Sequence, residues 1–115
     1  MKVAIVGSRG IADYDSWVLL LAGALEGLRV CEIVSGGARG VDSLAARYAH
    51  ENGIPLVEFL PDYPRYGRAA TLVRNSKIVD YADAVIAFPP ADSRGTLDTI
   101  RKAEKAGKLL KIIRL

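Results

Sequence analysis

Five short, continuously apolar segments alternate along this 115-residue chain with longer segments in which hydrophobic residues recur every three or four positions, and this alternation restricts the fold more than any other feature. Unbroken apolar segments of about four to eight residues are typical of strands that are covered on both faces, as in a parallel sheet between helices. The recurrence in the intervening segments predicts amphipathic helices. The apolar segments are residues 3–6, 33–34 with their flanks, 56–60, 84–88 and 109–115.

The order of these segments predicts the topology. Strands that alternate with helices along a chain form parallel sheets. Because crossovers between parallel strands are right-handed, five such strands favour a doubly wound sheet with the strand order 3-2-1-4-5. We therefore predict a single α/β domain over residues 1–115, in three layers, with helices on both faces of a five-stranded parallel sheet.

Composition and charge narrow the class of protein. A net charge of +3 and a pI of about 9.2 are compatible with a phosphate-bearing partner, either a nucleotide or a polymer. With Cys31 as the only cysteine, no internal disulfide is expected, and no Cys/His cluster has metal-ligand spacing, so neither a metal nor a cofactor is predicted. We see no signal peptide and no apolar run near the roughly 20 residues of a membrane span, and therefore expect a cytoplasmic protein.

Glycine, proline and arginine concentrate in the connections that lead from a strand to a helix, at residues 7–10, 35–40, 61–67 and 89–96. In a parallel sheet these connections all emerge at the carboxyl edge, where open α/β folds bind their ligands. Arginine forms forked hydrogen bonds with phosphate oxygens, so the pattern predicts a phosphate-binding site at this edge. The arginines in or beside these connections are Arg9, Arg39, Arg65, Arg68, Arg74 and Arg94.

The segment SGGARG, residues 35–40, gives the strongest local signal. Its glycines would let backbone N–H groups approach a ligand, and the helix that follows would direct the positive end of its dipole there. The alternative is a tight strand-to-helix turn in which Asp42 serves as the acidic residue of the helix terminus. Residues 7–10 end the first strand and are expected to form the floor of the site. The candidates from both connections are Gly7, Ser8, Arg9, Ser35, Gly36, Gly37, Arg39, Gly40 and Asp42.

Two dipeptides extend the candidate site. Gly95 and Thr96 open the last helix, and either bring a second helix N-terminus to the anion or include a simple capping hydroxyl, from Thr96 or from Ser93. Arg74 and Asn75 lie in the helix before it. They are either a surface pair near the start of that helix, or an arginine that reaches a phosphate beside an asparagine that binds an amide or a hydroxyl.

Base recognition and catalysis leave weaker signals. Tyr63 and Tyr66 flank a proline, and either stack on a base or pack over the sheet edge. His50, the only histidine, falls in a helix away from the predicted site. No nucleophile with a base and an orienting residue is recognisable. The residues thus favour binding over catalysis.

Four segments taken together resemble a known family: GSRGIADY, SGGARGVDSLAARYAHENGIP, PRYGRAATLVRN and DAVIAFPPADSRGTLDTIRKAEKAGK. They resemble the YspA-like branch of the SLOG superfamily, which also holds the Lonely Guy (LOG) phosphoribohydrolases and the core of DprA. The resemblance implies a Rossmann-like fold, a nucleotide or nucleotide-derived ligand, and a homo-oligomer. It also implies which residues surround phosphate and ribose: Gly36, Gly37, Arg39, Gly40, Asp42, Arg74, Asn75, Gly95 and Thr96.

The chain departs from the LOG pattern PGGxGTxxE at its catalytic acid. Thr99 stands at the acidic position and Asp98 comes one residue earlier, about 100° around the helix. This difference favours a module that senses or sequesters its ligand. Two alternatives stay open. One is an N-glycosidic hydrolase in which Arg74 steadies the phosphate and Asp98 or Asp42 stabilises positive charge on the ribose, and the other is single-stranded DNA binding of the DprA type.

Overall fold

The apolar runs and amphipathic segments form a parallel sheet that carries helices on both faces. The structure, a computed structural model, describes residues 1–11, 13–89 and 94–114. Within these ranges no helix combines the length and apolar character that crossing a membrane requires. The strands are β1 (Lys2–Gly7), β2 (Glu32–Ser35), β3 (Leu56–Glu58), β4 (Ala84–Phe88) and β5 (Leu109–Ile112). The helices are α1 (Tyr14–Leu25), α2 (Val41–Glu51), α3 (Tyr63–Tyr66), α4 (Ala70–Tyr81) and α5 (Arg94–Lys105), with a 3₁₀ turn (Gly67–Ala69) before α4.

The strand order is β3-β2-β1-β4-β5, and every neighbouring pair is parallel. The predicted fold class and the predicted order 3-2-1-4-5 are therefore confirmed. β1 lies at the centre, where Val3 is in register with Ile33 of β2 on one side and with Ala84 of β4 on the other. The chain winds outward from β1 in both directions, so the sheet has its topological switch point between β1 and β4.

Successive residues of the central strand face opposite layers, and this divides the core in two. Val3 packs in the layer of α1 and α2, together with the buried side chains of Trp17 and Leu21. Ala4 faces the layer of α4 and α5, where Ile78 is buried. Because both faces are covered, the central strands read as continuous apolar runs without polar alternation.

The two edge strands are shorter than predicted. β3 ends at Glu58, which is paired with Ser35 at the end of β2, and Leu60, predicted inside this strand, is 66% exposed. β5 ends at Ile112, and residue 115, the last of its predicted run, lies outside the described residues. An edge strand pairs on one side only, and β3 accordingly ends opposite Ser35, the last residue of β2.

A short helix, α3, lies in the connection between β3 and α4, where the sequence predicts only a loop. The carboxylate of Asp62 accepts a hydrogen bond from the Arg65 N–H at 3.2 Å and so caps the first turn. Pro64 occupies that turn, in which its missing N–H costs no hydrogen bond. These local signals explain why the connection becomes helical.

Backbone hydrogen bonds fix the end of β1 between β4 and the start of α2. The Ser8 N–H donates to the Phe88 carbonyl at 3.0 Å, and the Val41 N–H donates to the Ser8 carbonyl at 2.9 Å. Gly7 makes this approach possible, because a Cβ at its position would lie 2.5 Å from the Phe88 carbonyl oxygen and 3.0 Å from Cγ2 of Val41. The absence of a side chain at Gly7 therefore sets how closely the connections meet.

We predict that Gly7→Ala destabilises the fold, by about 1–3 kcal/mol, because backbone and core atoms must move to admit the methyl group. Gly23→Ala is the matched control: it lies inside α1 with open space around its Cβ position, and we expect a gain of roughly 0.5–1 kcal/mol. Urea unfolding followed by circular dichroism measures both. Equal free energies of unfolding for the two variants would contradict this account of Gly7.

Candidate functional site

A cavity of about 310 Å³, here called the first cavity, lies at the carboxyl edge of the sheet beside the end of β1. Open α/β sheets bind ligands at this edge, at the switch point of the strand order. Its volume falls at the lower end of the ~300–1,000 Å³ range of small-molecule sites. The lining includes nine of the residues that the sequence predicts for the site: Gly7, Ser8, Arg9, Gly36, Asp42, Arg74, Asn75, Gly95 and Thr96.

A second cavity, of about 420 Å³, adjoins the first on the side of the SGGARG loop. Ser35 lines neither cavity, since it is fully buried at the end of β2, and its hydroxyl accepts a hydrogen bond from the Gly37 N–H at 3.2 Å. Ser35 thus shapes the loop from below. The remaining predicted residues line only the second cavity: Gly37, Arg39 and Gly40.

Sequence reasoning misses several lining residues. Thr99 follows Thr96 by three positions on α5, so helical periodicity was a signal that could have found it. Leu60 and Pro61 line the second cavity, and assigning Leu60 to a strand hid them. The other missed residues are Val6, Ala38 and Ile78 in the first cavity, and Ala38 and Ser43 in the second, whereas Gly10 belongs to the expected floor of the site.

Arg74 joins α4 to the SGGARG loop across the carboxyl edge. Its Nη1 donates to the Gly36 carbonyl at 2.9 Å, and its Nε donates to Oδ1 of Asn75 at 2.9 Å. Gly36 admits this contact because a Cβ there would lie 2.5 Å from Nη1 and 3.0 Å from Cζ of Arg74. A guanidinium carries five N–H donors, and two of them have acceptors among the described residues, so Arg74 keeps donors for an anion.

Asn75 belongs to a hydrogen-bond network that ties α4 to α5. It is 4% exposed, and its Nδ2 donates to Oδ2 of Asp98 at 3.1 Å and to the Gly95 carbonyl at 3.4 Å. The Lys102 ammonium donates to the same Asp98 oxygen at 2.7 Å. Both polar ends of Asn75 are therefore engaged within the protein, and Asp98, which lines neither cavity, supports the helix pair.

Asp42 is the only carboxylate among the described residues that line the first cavity. It is buried in the first turn of α2, and its Oδ2 accepts a hydrogen bond from the Ala38 N–H at 3.1 Å. Burial raises the pKa of Asp42 above its ordinary 3.8, although the Ala38 hydrogen bond and the charge of Arg74 act in the opposite direction. Asp42 therefore braces the loop and also lines the cavity.

Two guanidinium groups give the first cavity its positive charge. Burial lowers the pKa of Arg74, and the nearby Asp42 carboxylate opposes this shift, but arginine remains protonated throughout the physiological range. Arg9 is exposed and lines both cavities, and it forms no hydrogen bond or ion pair with any residue that the structure describes. Against a single carboxylate, these two cations favour an anionic ligand.

The two helix N-termini at this edge differ in what they offer a ligand. At α2, the Ala38 N–H donates to Asp42 and the Val41 N–H donates to the backbone at the end of β1. Those donors serve the protein itself. At α5, Gly95 and Thr96 line the first cavity, so the positive end of this helix dipole faces it.

Gly40 has a structural reason to be glycine. Its φ is 72°, in the left-handed region that residues with a side chain rarely adopt. A Cβ there would also overlap the Ser8 carbonyl oxygen and lie 2.5 Å from Cα of Arg9. Gly40 therefore allows the loop after β1 to lie directly against the start of α2.

The tyrosines of α3 line neither cavity. Tyr63 is 55% exposed, and the ring of Tyr66 lies 5.2 Å from the Arg65 guanidinium and 5.7 Å from the Lys77 ammonium. Ser93, the alternative capping residue of α5, lies outside the described residues. In the part of the chain that the structure describes, no group of three or more His, Cys, Asp or Glu side chains could hold a metal ion.

Sequence comparisons identify relatives of the chain. The profile of the YspA, cpYpsA-related SLOG family matches residues 1–66. The Gene 61 protein of Mycobacterium phage D29 is 38% identical over 113 residues, an alignment that covers 92% of this chain and 90% of the phage protein.

Two solved structures share the fold. DNA processing protein A (DprA) from Streptococcus pneumoniae superposes with a TM-score of 0.72 at 23% identity, over 98% of this chain and 49% of that protein. DprA from Helicobacter pylori, whose structure concerns a single-stranded DNA binding mode, superposes with a TM-score of 0.68 at 26% identity, over 95% of this chain and 63% of that protein. The chain thus spans 49% and 63% of these two larger proteins, less than two thirds of either.

We predict that Asn75→Ala destabilises the protein by about 1–3 kcal/mol, because it leaves the partly buried Arg74 Nε and one side of Asp98 without their partner. Ser76→Ala, one position along α4, is the control, since its hydroxyl only donates back to the Leu72 carbonyl of the same helix. Urea unfolding compares the two variants. If Asn75→Ala lowers the free energy of unfolding no more than Ser76→Ala does, the network does not hold α4 against α5.

Proposed function

Because the chain belongs to the YspA, cpYpsA-related SLOG family, we propose that its first cavity binds the phosphate and ribose of a nucleotide or a nucleotide-derived ligand. The observation that carries this proposal is the arrangement of Arg74. Its guanidinium is held by the Gly36 carbonyl and by Asn75, and it still retains donors beside the start of α5. A cation fixed in this way is pre-organised for an anion, and binding it costs little side-chain entropy.

The phosphate is expected between Arg74 and the N-terminus of α5. An anion at a helix N-terminus interacts favourably with the dipole, and the bare backbone of Gly95 allows close approach, since nothing lies within 4 Å of its Cβ position. Arg9 adds a second cation to the lining of the same cavity. A forked guanidinium contact supplies both charge and orientation for the phosphate oxygens.

The ribose is expected beside Asp42. A carboxylate next to a phosphate repels it, but it accepts hydrogen bonds from hydroxyl groups. The sequence suggested that Asn75 binds an amide or a hydroxyl of the ligand. In the structure its amide is already hydrogen-bonded to Arg74, Asp98 and the Gly95 carbonyl. We assign Asn75 to positioning Arg74.

The geometry favours binding without cleavage of the ligand. Asp98, a candidate for stabilising positive charge on a ribose, is held by Asn75 and Lys102 and lines neither cavity. Thr99 occupies the position at which the LOG pattern has its acid, and its hydroxyl donates to the Gly95 carbonyl at 3.2 Å. The proposed function is therefore that of a module that senses or sequesters its ligand.

Calorimetric titration with AMP, the other nucleoside monophosphates and ADP-ribose tests the proposal. We expect at least one to bind, and Arg74→Gln to weaken that binding about tenfold to a hundredfold, the usual effect of losing a charge-assisted hydrogen bond. Arg101→Gln, an exposed arginine of α5 outside both cavities, should bind as the unaltered protein does. If none of these compounds binds the folded protein, or if the two variants bind with equal affinity, the proposal is refuted.

A second candidate function is binding of single-stranded DNA. The specific observations that favour it are the similarity to H. pylori DprA and a set of exposed arginines in the carboxyl-edge connections and at the helices that follow them. Exposed guanidinium groups along a rim can follow a phosphate backbone. The arginines concerned are Arg9, Arg39, Arg65, Arg68 and Arg94.

Fluorescence anisotropy with an oligothymidylate of about 20 nucleotides tests this second function. Its binding constant should fall with salt, with a logarithmic slope of about −0.7 for each phosphate contact, and Arg39→Ala should make the slope shallower. Arg29→Ala serves as the control, because Arg29 is exposed at the opposite, amino edge of the sheet, where its carbonyl accepts from the terminal amine. Binding that does not depend on salt, or none at low salt, would exclude DNA as the ligand.

A further inference from the structure

The second cavity lies outside the phosphate and ribose site proposed above, although it is continuous with it. Four residues line both cavities and form their common boundary: Arg9, Gly36, Ala38 and Arg74. Both cavities open at the same edge of the sheet. A ligand held by Arg74 in the first cavity therefore has the second within direct reach.

The lining of the second cavity is more apolar than that of the first. Leu60 and Pro61 contribute aliphatic surface to it, and Leu60 is 66% exposed. Leu60 packs directly against the glycine-rich loop, since a Cβ at Gly37 would overlap Cδ2 of Leu60. The leucine and the bare backbone of the loop therefore form one continuous, largely apolar surface of the second cavity.

The polar side chains of this lining are Arg39 and Ser43, both on exposed residues, together with Arg9 and Arg74, which it shares with the first cavity. A planar heterocycle has two apolar faces and a polar edge. One face can contact the surface formed by Leu60 and the loop, and the edge can meet the guanidinium of Arg39 and the hydroxyl of Ser43. A phosphate group would gain nothing from contact with the aliphatic side chains of Leu60 and Pro61.

We infer that the second cavity binds the nucleobase of the ligand whose phosphate and ribose occupy the first. This inference rests on the proposed nucleotide-binding function and adds to it the part of the ligand that the first cavity does not accommodate. Gly36, which lines both cavities, accepts a hydrogen bond from Arg74 through its carbonyl, and its missing side chain leaves room for that guanidinium.

AMP and ribose 5-phosphate are the probes that test the inference, because they share phosphate and ribose and differ in the base. In calorimetry, AMP should bind about tenfold or more tightly than ribose 5-phosphate, the advantage of an apolar contact with a base. Ser43→Phe fills the second cavity from an exposed position of α2 and should abolish this advantage, while ribose 5-phosphate binds unchanged. Leu60→Ala removes part of the cavity wall and should reduce the advantage without touching the core.

His50→Phe is the matched control, since it adds the same side chain at another exposed position of α2, outside both cavities. Equal affinities for the two probes, or an AMP affinity that Ser43→Phe and Leu60→Ala leave unchanged, would overturn the inference while the proposed function stands. Loss of both probes in Ser43→Phe, with circular dichroism showing a folded protein, would overturn it as well, because the phosphate would then share the second cavity. Failure of both probes, and of the rest of the nucleotide panel, to bind the unaltered protein would instead overturn the proposed function itself.

Discussion

The hydrogen bond from Arg74 to the Gly36 carbonyl is the interaction on which the candidate site depends. It connects a helix of one layer to the loop that follows β2, so it fixes the separation between elements that the sheet alone would leave free to shift. It exists only because Gly36 has no Cβ, and because Asn75 holds the guanidinium from the other side. A charged side chain is thereby kept partly buried, with donors that remain available to an anion in the cavity.

The glycines of the site divide into two kinds when their surroundings are compared. Gly7 and Gly40 are required by the free protein, because backbone atoms occupy the space that a side chain would need. Gly95 has open space at its Cβ position, so the fold itself does not require glycine there. Under the proposed function, glycine is needed at position 95 because the ligand approaches the backbone there. Glycine content alone cannot separate these cases, since the sequence contains no record of which neighbour comes close.

The aspartates divide in the same way. The sequence makes Asp42 a candidate site residue, and it makes Asp42 or Asp98 the candidate for stabilising positive charge on a ribose. In the structure Asp42 lines the first cavity, whereas the carboxylate of Asp98 turns towards Lys102 and Asn75. The difference comes from the neighbouring helix: α4 offers Asn75 a place beside Asp98, and the pair satisfies polar groups that burial between helices would otherwise leave unpaired.

The sequence by itself determined the fold class, the strand order and the edge of the sheet at which the candidate residues gather. Those features depend on local periodicity, on the handedness of crossovers and on glycines in sequence-adjacent turns, all of which are readable along the chain. Only the tertiary structure decided that Arg74 reaches Gly36, 38 positions away, and that Gly95 and Thr96 of α5 line the first cavity together with Asp42 of α2. It alone also separated Arg39 and Gly37 into a second cavity with Leu60. The physical reason is that these contacts join distant segments, and their geometry depends on side-chain packing between layers that no local pattern encodes.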